Sequence, residues 1–279
     1  MDKPFQVNRD TAILPSHLPL PVPGFGYLGI NAYVLKSQQP VLVDTGMRIE
    51  ADEFMSALES IIDPSEIRWI WITHDDADHI GNLEAVLARA PKAKIITNII
   101  GVARMETSWH INLDMVHLVN PGETLDVGDR TLHAVRPPLF DSPATMGLYD
   151  PKGDVFFSSD CFGAFIPEPV PSAQDVASDA LIEGFRMFNK GNHPWVHLVD
   201  ENKLGGALNV IKEMNPHTIL SGHLAPASGM VDKFLETMSQ LPATDPFVGP
   251  NQLEIEQIMA QVNAGQAPTA PERSTTDPS

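Results

Sequence analysis

Six consecutive positions, residues 74–79, carry two histidines and three aspartates in the order His-Asp-Asp-Ala-Asp-His. They directly follow the apolar run 67–72, which is typical of a buried strand. Carboxylates crowded at the end of such a strand repel one another and lose hydration, so they need a partner that neutralises them. A pair of divalent or trivalent metal ions meets this need. The segment therefore predicts a strand that delivers metal ligands at its carboxyl end.

The spacing within this segment suits two ions. Residues two apart on an extended backbone project to the same side, so His74 and Asp76 can bind one ion. Asp78 and His79 can then bind a second, and Gly81 permits a tight turn after them. The alternative is a charged surface loop. The bracketing histidines and the apolar strand before them favour a metal site.

Charge and cysteine content exclude several other functions. The chain has 36 acidic and 18 basic residues, a formal net charge of -18, which repels nucleic acid and anionic membrane surfaces. Cys161 is the single cysteine, so neither an intramolecular disulfide nor a thiolate cluster can form. No apolar stretch reaches the length of a membrane span, and the N-terminal residues lack the apolar core of a signal peptide. We therefore expect a cytoplasmic protein.

Strand patterns alternate with helix patterns along the chain, which predicts an α/β fold with buried sheets in layers. We expect a proline-rich surface arm over residues 1–24, a single domain over 25–263 and a disordered tail over 264–279. The apolar helix predicted over 251–262 could pair with a second copy of the chain. Packing on its own domain is the alternative.

Four segments resemble those of a known superfamily. Residues 73–81 resemble the T-H-x-H/E-x-D-H-x-G signature of the metallo-β-lactamase superfamily, and residues 44–46 resemble its upstream D-T-G element. Residues 221–223 resemble the closing G-H, and residues 159–160 its bridging aspartate. The resemblance implies a four-layer αββα metallo-β-lactamase-like sandwich, with a dinuclear site on the shared edge of the two sheets.

Two further segments are similar to one branch, the diiron domain of flavodiiron proteins and their stand-alone oxygen-binding relatives. Residues 159–165 are similar to the N-D-A-F-G segment of that branch, and residues 138–146 to its P-x-L-H-W-P-D-S-M segment. Asp76 agrees with the carboxylate of the redox branch, with Asp in place of Glu. Asp141 departs from the pattern, because it falls where the family supplies a histidine.

The resemblance implies a ligand set of three imidazoles and four carboxylates: His74, Asp76, Asp78, His79, Asp141, Asp160 and His223. Such an oxygen-rich set without thiolate suits two iron ions, with manganese or zinc as alternatives. Alternatively, Asp141 does not ligate, and the first metal position is weak, empty or differently filled.

Two residues outside this set are also candidates. We expect Asp44 to orient the histidine-rich loop by hydrogen bonds, and a plain turn carboxylate is the alternative. His193 could donate a proton to bound substrate as a catalytic residue. The alternative for His193 is an ordinary surface histidine.

Three functions remain open at this point. The first is a diiron protein that binds or reduces O2 or NO, with Asp160 bridging the ions. No flavodoxin-like or rubredoxin-like domain follows within the 279 residues, so we expect a separate electron-donor protein. The second is a metallohydrolase, in which a metal-bridging hydroxide positioned by catalytic Asp78 attacks an ester, lactone, thioester or phosphodiester. The third is a degenerate site kept as a structural or regulatory module.

Overall fold

Two β-sheets lie face to face at the centre of the protein. The computed structural model describes residues 1–20 and 26–264. Within these residues the first sheet has eight strands, numbered here in chain order: β1 Phe5–Gln6, β2 Thr11–Pro19, β3 Tyr27–Leu35, β4 Val41–Val43, β5 Trp69–Trp71, β6 Lys94–Thr97, β7 Val116–Leu118 and β12 Phe165–Ile166. The second has six: β8 Thr124–Asp126, β9 Thr131–Val135, β10 Gly147–Asp150, β11 Val155–Phe157, β13 Thr218–Leu220 and β14 Ala227–Ser228.

Alternation along the strands divides the core into layers. Tyr33 on β3 and Trp71 on β5 point toward the second sheet and pack in a cluster with residues such as Phe157 of β11. Val34 and Ile70, each one residue away, point to the opposite face and join a separate cluster. This period of two is what a strand buried on both faces requires.

Helices cover the outer face of each sheet. The α-helices of the described residues are α1 Ala51–Ile61, α2 Ala77–Ile80, α3 Leu83–Arg89, α4 Ile99–Met105, α5 Ser178–Asn192, α6 Glu201–Met214, α7 Val231–Ser239 and α8 Gln252–Asn263. Helices α1, α3 and α4 contribute to the cluster on the first sheet, and α5, α6 and α7 to the cluster on the second. The predicted four-layer αββα sandwich is confirmed.

Parallel pairing gathers several loops at one edge. β4 pairs with β5, and β5 with β6, in parallel. In the second sheet, β11 pairs with β13 in parallel. Because the carboxyl ends of parallel neighbours meet at the same edge, the loops that begin at Asp44 and Ile72 lie side by side. The loops that begin at Ser158 and Ser221 do so in the second sheet.

The proline-rich surface arm expected over residues 1–24 is wrong for residues 11–19. These residues form β2, which pairs antiparallel with β3 over its whole length, and residues 11–16 are buried. Pro15 and Pro19 are tolerated within β2 because β1 pairs only with residues 12 and 13 of this strand. Beyond them β2 is an edge strand, where a missing N–H breaks no ladder hydrogen bond.

The C-terminal end of the described chain is helix α8. Leu253 and Met259 are exposed on it, whereas Ile258 is buried, and pairing with a second copy stays a prediction. The tail expected over 264–279 lies outside the described residues except for Ala264. Within the described part of the chain, no helix is long and apolar enough to cross a membrane.

Candidate metal centre

Three imidazoles converge on one carboxylate oxygen at the shared edge of the sheets. Oδ1 of Asp160 lies 3.0 Å from Nε2 of His79 and 3.1 Å from Nε2 of His223. Nε2 of His74 lies 3.8 Å from the same oxygen. All four side chains are buried. The carboxylate therefore occupies the centre of the group, where a bridging ligand is expected.

Several of these buried atoms have no hydrogen-bond partner within the described residues. They are Nε2 of His74, Nε2 of His79 and Oδ1 of Asp160. Nε2 of His79 and Oδ1 of Asp160 form an ion pair at 3.0 Å when the imidazole is protonated. A buried polar atom without a partner costs about 1–3 kcal/mol. Bound cations between these atoms would satisfy all three, so the residues fit a metal centre.

The remaining carboxylates divide the centre into two halves. The first subsite contains His74, Asp76 and Asp141, whose ligand atoms lie within 4.8 Å of one another. Nε2 of His74 is 3.7 Å from Oδ2 of Asp76 and 3.7 Å from Oδ2 of Asp141. An ion bound by His74 and Asp76 would therefore lie within reach of the Asp141 carboxylate.

The second subsite contains Asp78, His79 and His223, again within 4.8 Å. Oδ2 of Asp78 lies 3.6 Å from Nε2 of each histidine. With Asp160 between the subsites, the structure brings together all seven residues that the sequence nominated. Their binding of metal stays a prediction.

The other nitrogen of each imidazole is held by the protein. Nδ1 of His79 lies 2.9 Å from Oδ2 of Asp44, and Nδ1 of His223 lies 2.7 Å from the Gly29 carbonyl oxygen. Nδ1 of His74 lies 3.1 Å from the Ser159 hydroxyl. A proton on Nδ1 that is donated to these oxygens leaves the lone pair on Nε2, which is the form that binds a metal ion.

Asp44 has the orienting position predicted for it. Its carboxylate accepts hydrogen bonds from the Thr73 backbone N–H at 2.8 Å and the Thr73 hydroxyl at 2.7 Å. Asp44 and Ser159 both have φ of 57°, a left-handed conformation that costs a non-glycine residue energy. Both residues contact an imidazole of the centre, so the strained turns aim side chains at the site.

Strand β3 of the first sheet holds the loop that carries His223 in the second. The Asn31 N–H donates to the Gly222 carbonyl oxygen at 2.9 Å, and the Tyr33 hydroxyl donates to the Ser221 carbonyl oxygen at 2.6 Å. Together with the bond from His223 to Gly29, these contacts close the seam between the sheets. The centre therefore lies on a junction that both sheets build.

The crowded charges shift the pKa values of the buried groups. Burial lowers the pKa of His79, but the carboxylates of Asp44 and Asp78 outweigh it and raise that pKa well above its usual value. Burial also lowers the pKa of His223, yet Asp160 raises it to about 9. Burial raises the pKa of Asp160, but the three imidazoles hold it well below its usual range. Without metal, protons on the imidazoles balance the carboxylates, so metal ions must displace them.

His193 is fully buried, so the alternative of a surface histidine is wrong. Its Nδ1 donates to the Asn189 carbonyl oxygen at 2.9 Å, and its Nε2 has no partner among the described residues. Burial lowers its pKa, while the charges of Asp141 and Asp160 act in the opposite direction. His193 is therefore a neutral imidazole near the centre, with its lone pair on Nε2.

Sequence reasoning missed two residues that contact the site. The Asn192 side chain donates to Oδ2 of Asp160 at 3.0 Å, and its position next to His193 was a usable signal. Nε of Arg104 lies 2.7 Å from both carboxylate oxygens of Asp75. Arg104 lies on α4, far along the chain from residues 74–79, and no spacing pattern connects the two segments.

The geometry can be compared with known proteins. The family described as ODP family beta lactamase matches residues 28–223, well over half of the chain. The chain belongs to this family. The rubredoxin-oxygen oxidoreductase of Megalodesulfovibrio gigas is 32% identical over 205 residues, which cover 74% of this chain and 46% of that protein. An anaerobic nitric oxide reductase flavorubredoxin of Pectobacterium atrosepticum is 31% identical over 134 residues, 48% of this chain and 26% of that protein.

Solved structures agree on the fold. The structure of rubredoxin oxygen:oxidoreductase from Desulfovibrio gigas matches with a TM-score of 0.76 and 20% identity, covering 88% of this chain and 63% of that chain. The predicted membership of the metallo-β-lactamase superfamily and the likeness to flavodiiron proteins are confirmed. This ODP-family chain spans less than half the length of the two curated relatives.

Proposed function

We propose that this ODP-family chain holds two iron ions and binds or reduces dioxygen or nitric oxide, with electrons from a separate protein. The observation that carries the proposal is the position of Asp160, whose Oδ1 lies among three imidazole Nε2 atoms between two carboxylate-containing subsites. Histidine and carboxylate without thiolate is a donor set that suits iron. The two curated relatives are named for oxygen and nitric oxide reduction.

The seven side chains of the two subsites and Asp160 would hold the ions. Bound iron would supply the redox electrons and the open coordination positions that a diatomic molecule needs. The protein's own contribution is to fix the ligand orientation before binding, through Asp44, Ser159 and the Gly29 carbonyl oxygen. Fixed ligands cost no reorganisation when charge develops during reaction.

His193 is the candidate proton relay for this chemistry. Its Nδ1–H is engaged by the Asn189 carbonyl oxygen, so Nε2 accepts a proton and passes it on. The neighbouring Asn192 donates to Asp160, which places this end of α5 against the centre. Reduction of dioxygen or nitric oxide consumes protons, and a buried imidazole with a lowered pKa releases a proton readily.

The electron donor is proposed as a separate protein of the flavin or rubredoxin type. The names of the two relatives, rubredoxin-oxygen oxidoreductase and flavorubredoxin, support this class of donor. The relatives are also more than twice as long as the matched region of this chain. The donor need not be known for the first test, since a chemical reductant can replace it.

The test is metal analysis of protein purified without added metal, followed by anaerobic reduction and exposure to dioxygen or nitric oxide. We expect two irons per chain, a visible absorption band lost on reduction and regained with either gas, and gas consumption in the presence of reductant. Zinc or manganese with hydrolysis of esters or phosphodiesters would instead indicate the hydrolase. Fewer than one metal per chain with neither activity would overturn both enzymatic functions.

A further inference from the structure

Helix α4 contacts the loop of the first subsite through the guanidinium of one residue, Arg104. Nε of Arg104 lies 2.7 Å from both Oδ1 and Oδ2 of Asp75, and its Nη2 lies 3.7 Å from Oδ1 of Asp76. The Asp75 side chain is only 8% exposed, although Asp75 belongs to neither subsite. A nearly buried carboxylate beside a metal ligand needs such a partner.

Asp75 also reaches the segment that carries Asp141. The Ser142 hydroxyl donates to Oδ1 of Asp75 at 3.4 Å, and Ser142 is the residue that follows Asp141. At its other end, α4 is tied to the same segment, because the Asn98 side chain donates to the Ala144 carbonyl oxygen at 2.9 Å. Helix α4 thus joins the loop of residues 74–79 to the segment that begins at Asp141.

The charges explain why a cation is needed beside this loop. The first subsite has one imidazole and two carboxylates, whereas the second has two imidazoles and one carboxylate. Within the described part of the chain, Arg104 is the only arginine or lysine that forms an ion pair with a carboxylate of residues 74–79, Asp141 or Asp160. Its guanidinium therefore offsets the repulsion that would push Asp76 and Asp141 apart.

We propose that Arg104, Asp75 and Ser142 form a clamp that positions Asp76 and Asp141 as ligands of the same metal ion. Arg104 is a positioning residue here, since it acts on the ligands through its contacts with Asp75 and Asp76 and touches neither subsite's imidazole. The proposal rests on the dinuclear site proposed above. It concerns which residues organise one half of that site, and it is independent of whether the site acts on dioxygen or nitric oxide.

The test is titration of the full chain, stripped with a chelator, with Co²⁺ followed by visible absorption. We expect the wild type to bind two equivalents. Arg104→Gln should weaken one equivalent by about 10–100-fold, the usual effect of losing a residue that orients a metal ligand, and leave the other unchanged. Arg104→Lys should recover part of the lost affinity, because lysine keeps the positive charge but lacks the planar guanidinium that binds both carboxylate oxygens.

The matched control is Arg89→Gln. Arg89 is also an exposed helical arginine paired with a carboxylate, at 2.6 Å from Glu59, but it contacts neither subsite. Both equivalents should bind to this variant as in the wild type. Equal weakening of both equivalents by Arg104→Gln, or no weakening, would overturn the clamp.

A double-mutant cycle assigns the affected half. Arg104→Gln combined with Asp141→Asn should weaken binding by less than the sum of the single effects, because both act on the first subsite. The losses of binding free energy caused by Arg104→Gln and by His223→Asn should be additive when the two substitutions are combined. Additive losses with Asp141→Asn, together with non-additive losses with His223→Asn, would overturn the clamp. Failure of the wild type to bind a second equivalent would overturn the dinuclear site as well, whereas two bound equivalents without oxygen or nitric oxide chemistry would overturn only the proposed function.

Discussion

Nδ1 of His79 lies 2.9 Å from Oδ2 of Asp44, a carboxylate that is itself held by Thr73. This contact orients the imidazole so that Nε2 faces Asp160. It also keeps electron density on the ring, which strengthens the bond to a metal ion.

Asp44→Asn should therefore weaken metal binding at the second subsite by about 10–100-fold. The asparagine side chain does not fix the proton on Nδ1 of His79, and it has no negative charge to increase the electron density of the imidazole. Co²⁺ titration measures this. Asp52→Asn on the exposed part of α1 is a suitable control. Unchanged binding in the Asp44 variant would mean that this contact has no role in ligation.

Asp141→His tests the composition of the first subsite. If Asp141 is a ligand of iron, replacing its negative charge with a neutral imidazole disfavours the oxidised state. We expect two bound metals and a rise in midpoint reduction potential on the order of 59 mV, a tenfold change in the ratio of affinities for the two one-electron states. Spectroelectrochemical titration gives this value. A rise in metal content in the variant would instead show that Asp141 is a poor ligand.

The metal-free protein should become less stable as pH rises through about 9. In the folded protein the pKa of His223 is raised to about 9, mainly by Asp160 acting against burial, whereas an unfolded histidine has a pKa of about 6.5. A raised pKa stabilises the fold fully below the unfolded value, and this stabilisation is lost as pH rises through the folded value. Thermal denaturation of chelator-treated protein between pH 6 and pH 10 measures it.

Metal binding should show the opposite dependence on pH. Each ion displaces protons from the imidazoles, so apparent affinity should increase with pH over the same interval. A pH indicator in weak buffer should record proton release on adding metal at pH 7. Metal uptake without proton release would contradict the protonated state inferred for the metal-free centre.

His193→Gln should separate catalysis from binding. The residue lies outside both subsites, so metal content should stay at the wild-type level. Turnover with a chemical reductant should fall by about 100-fold, the lower range for a lost acid–base group. Stopped-flow measurement of reoxidation, alongside metal analysis, gives both quantities. Equal turnover in the variant and the wild type would remove His193 from the mechanism.

The sequence predicted the site better than the periphery of the fold. The resemblance of residues 73–81 to the metallo-β-lactamase signature implied a site on the shared edge of the two sheets. The parallel pairing of β5 with β4 and β6 puts residues 74–79 at the carboxyl edge of the first sheet, in agreement with that implication. The role of Asp44 followed from its place after β4. Such short motifs carry this information, because each one follows the carboxyl end of a strand.

Other features depend on long-range packing and left no local signal. The prolines of β2 suggested an arm, and only its one-sided pairing explains why they are tolerated. His193 reads as a loop histidine, and its burial results from the end of α5 packing against the centre. Arg104 is an ordinary helical arginine until α4 places it beside Asp75.

The seam that β3 forms with residues 221–224 has a consequence for the whole molecule. Asn31 and Tyr33 tie one sheet to the loop that carries His223 in the other. Ions held across this seam would bind the folded chain and not the unfolded one, so loading shifts the unfolding equilibrium of both sheets together. Resistance to proteolysis should therefore report occupancy of the centre.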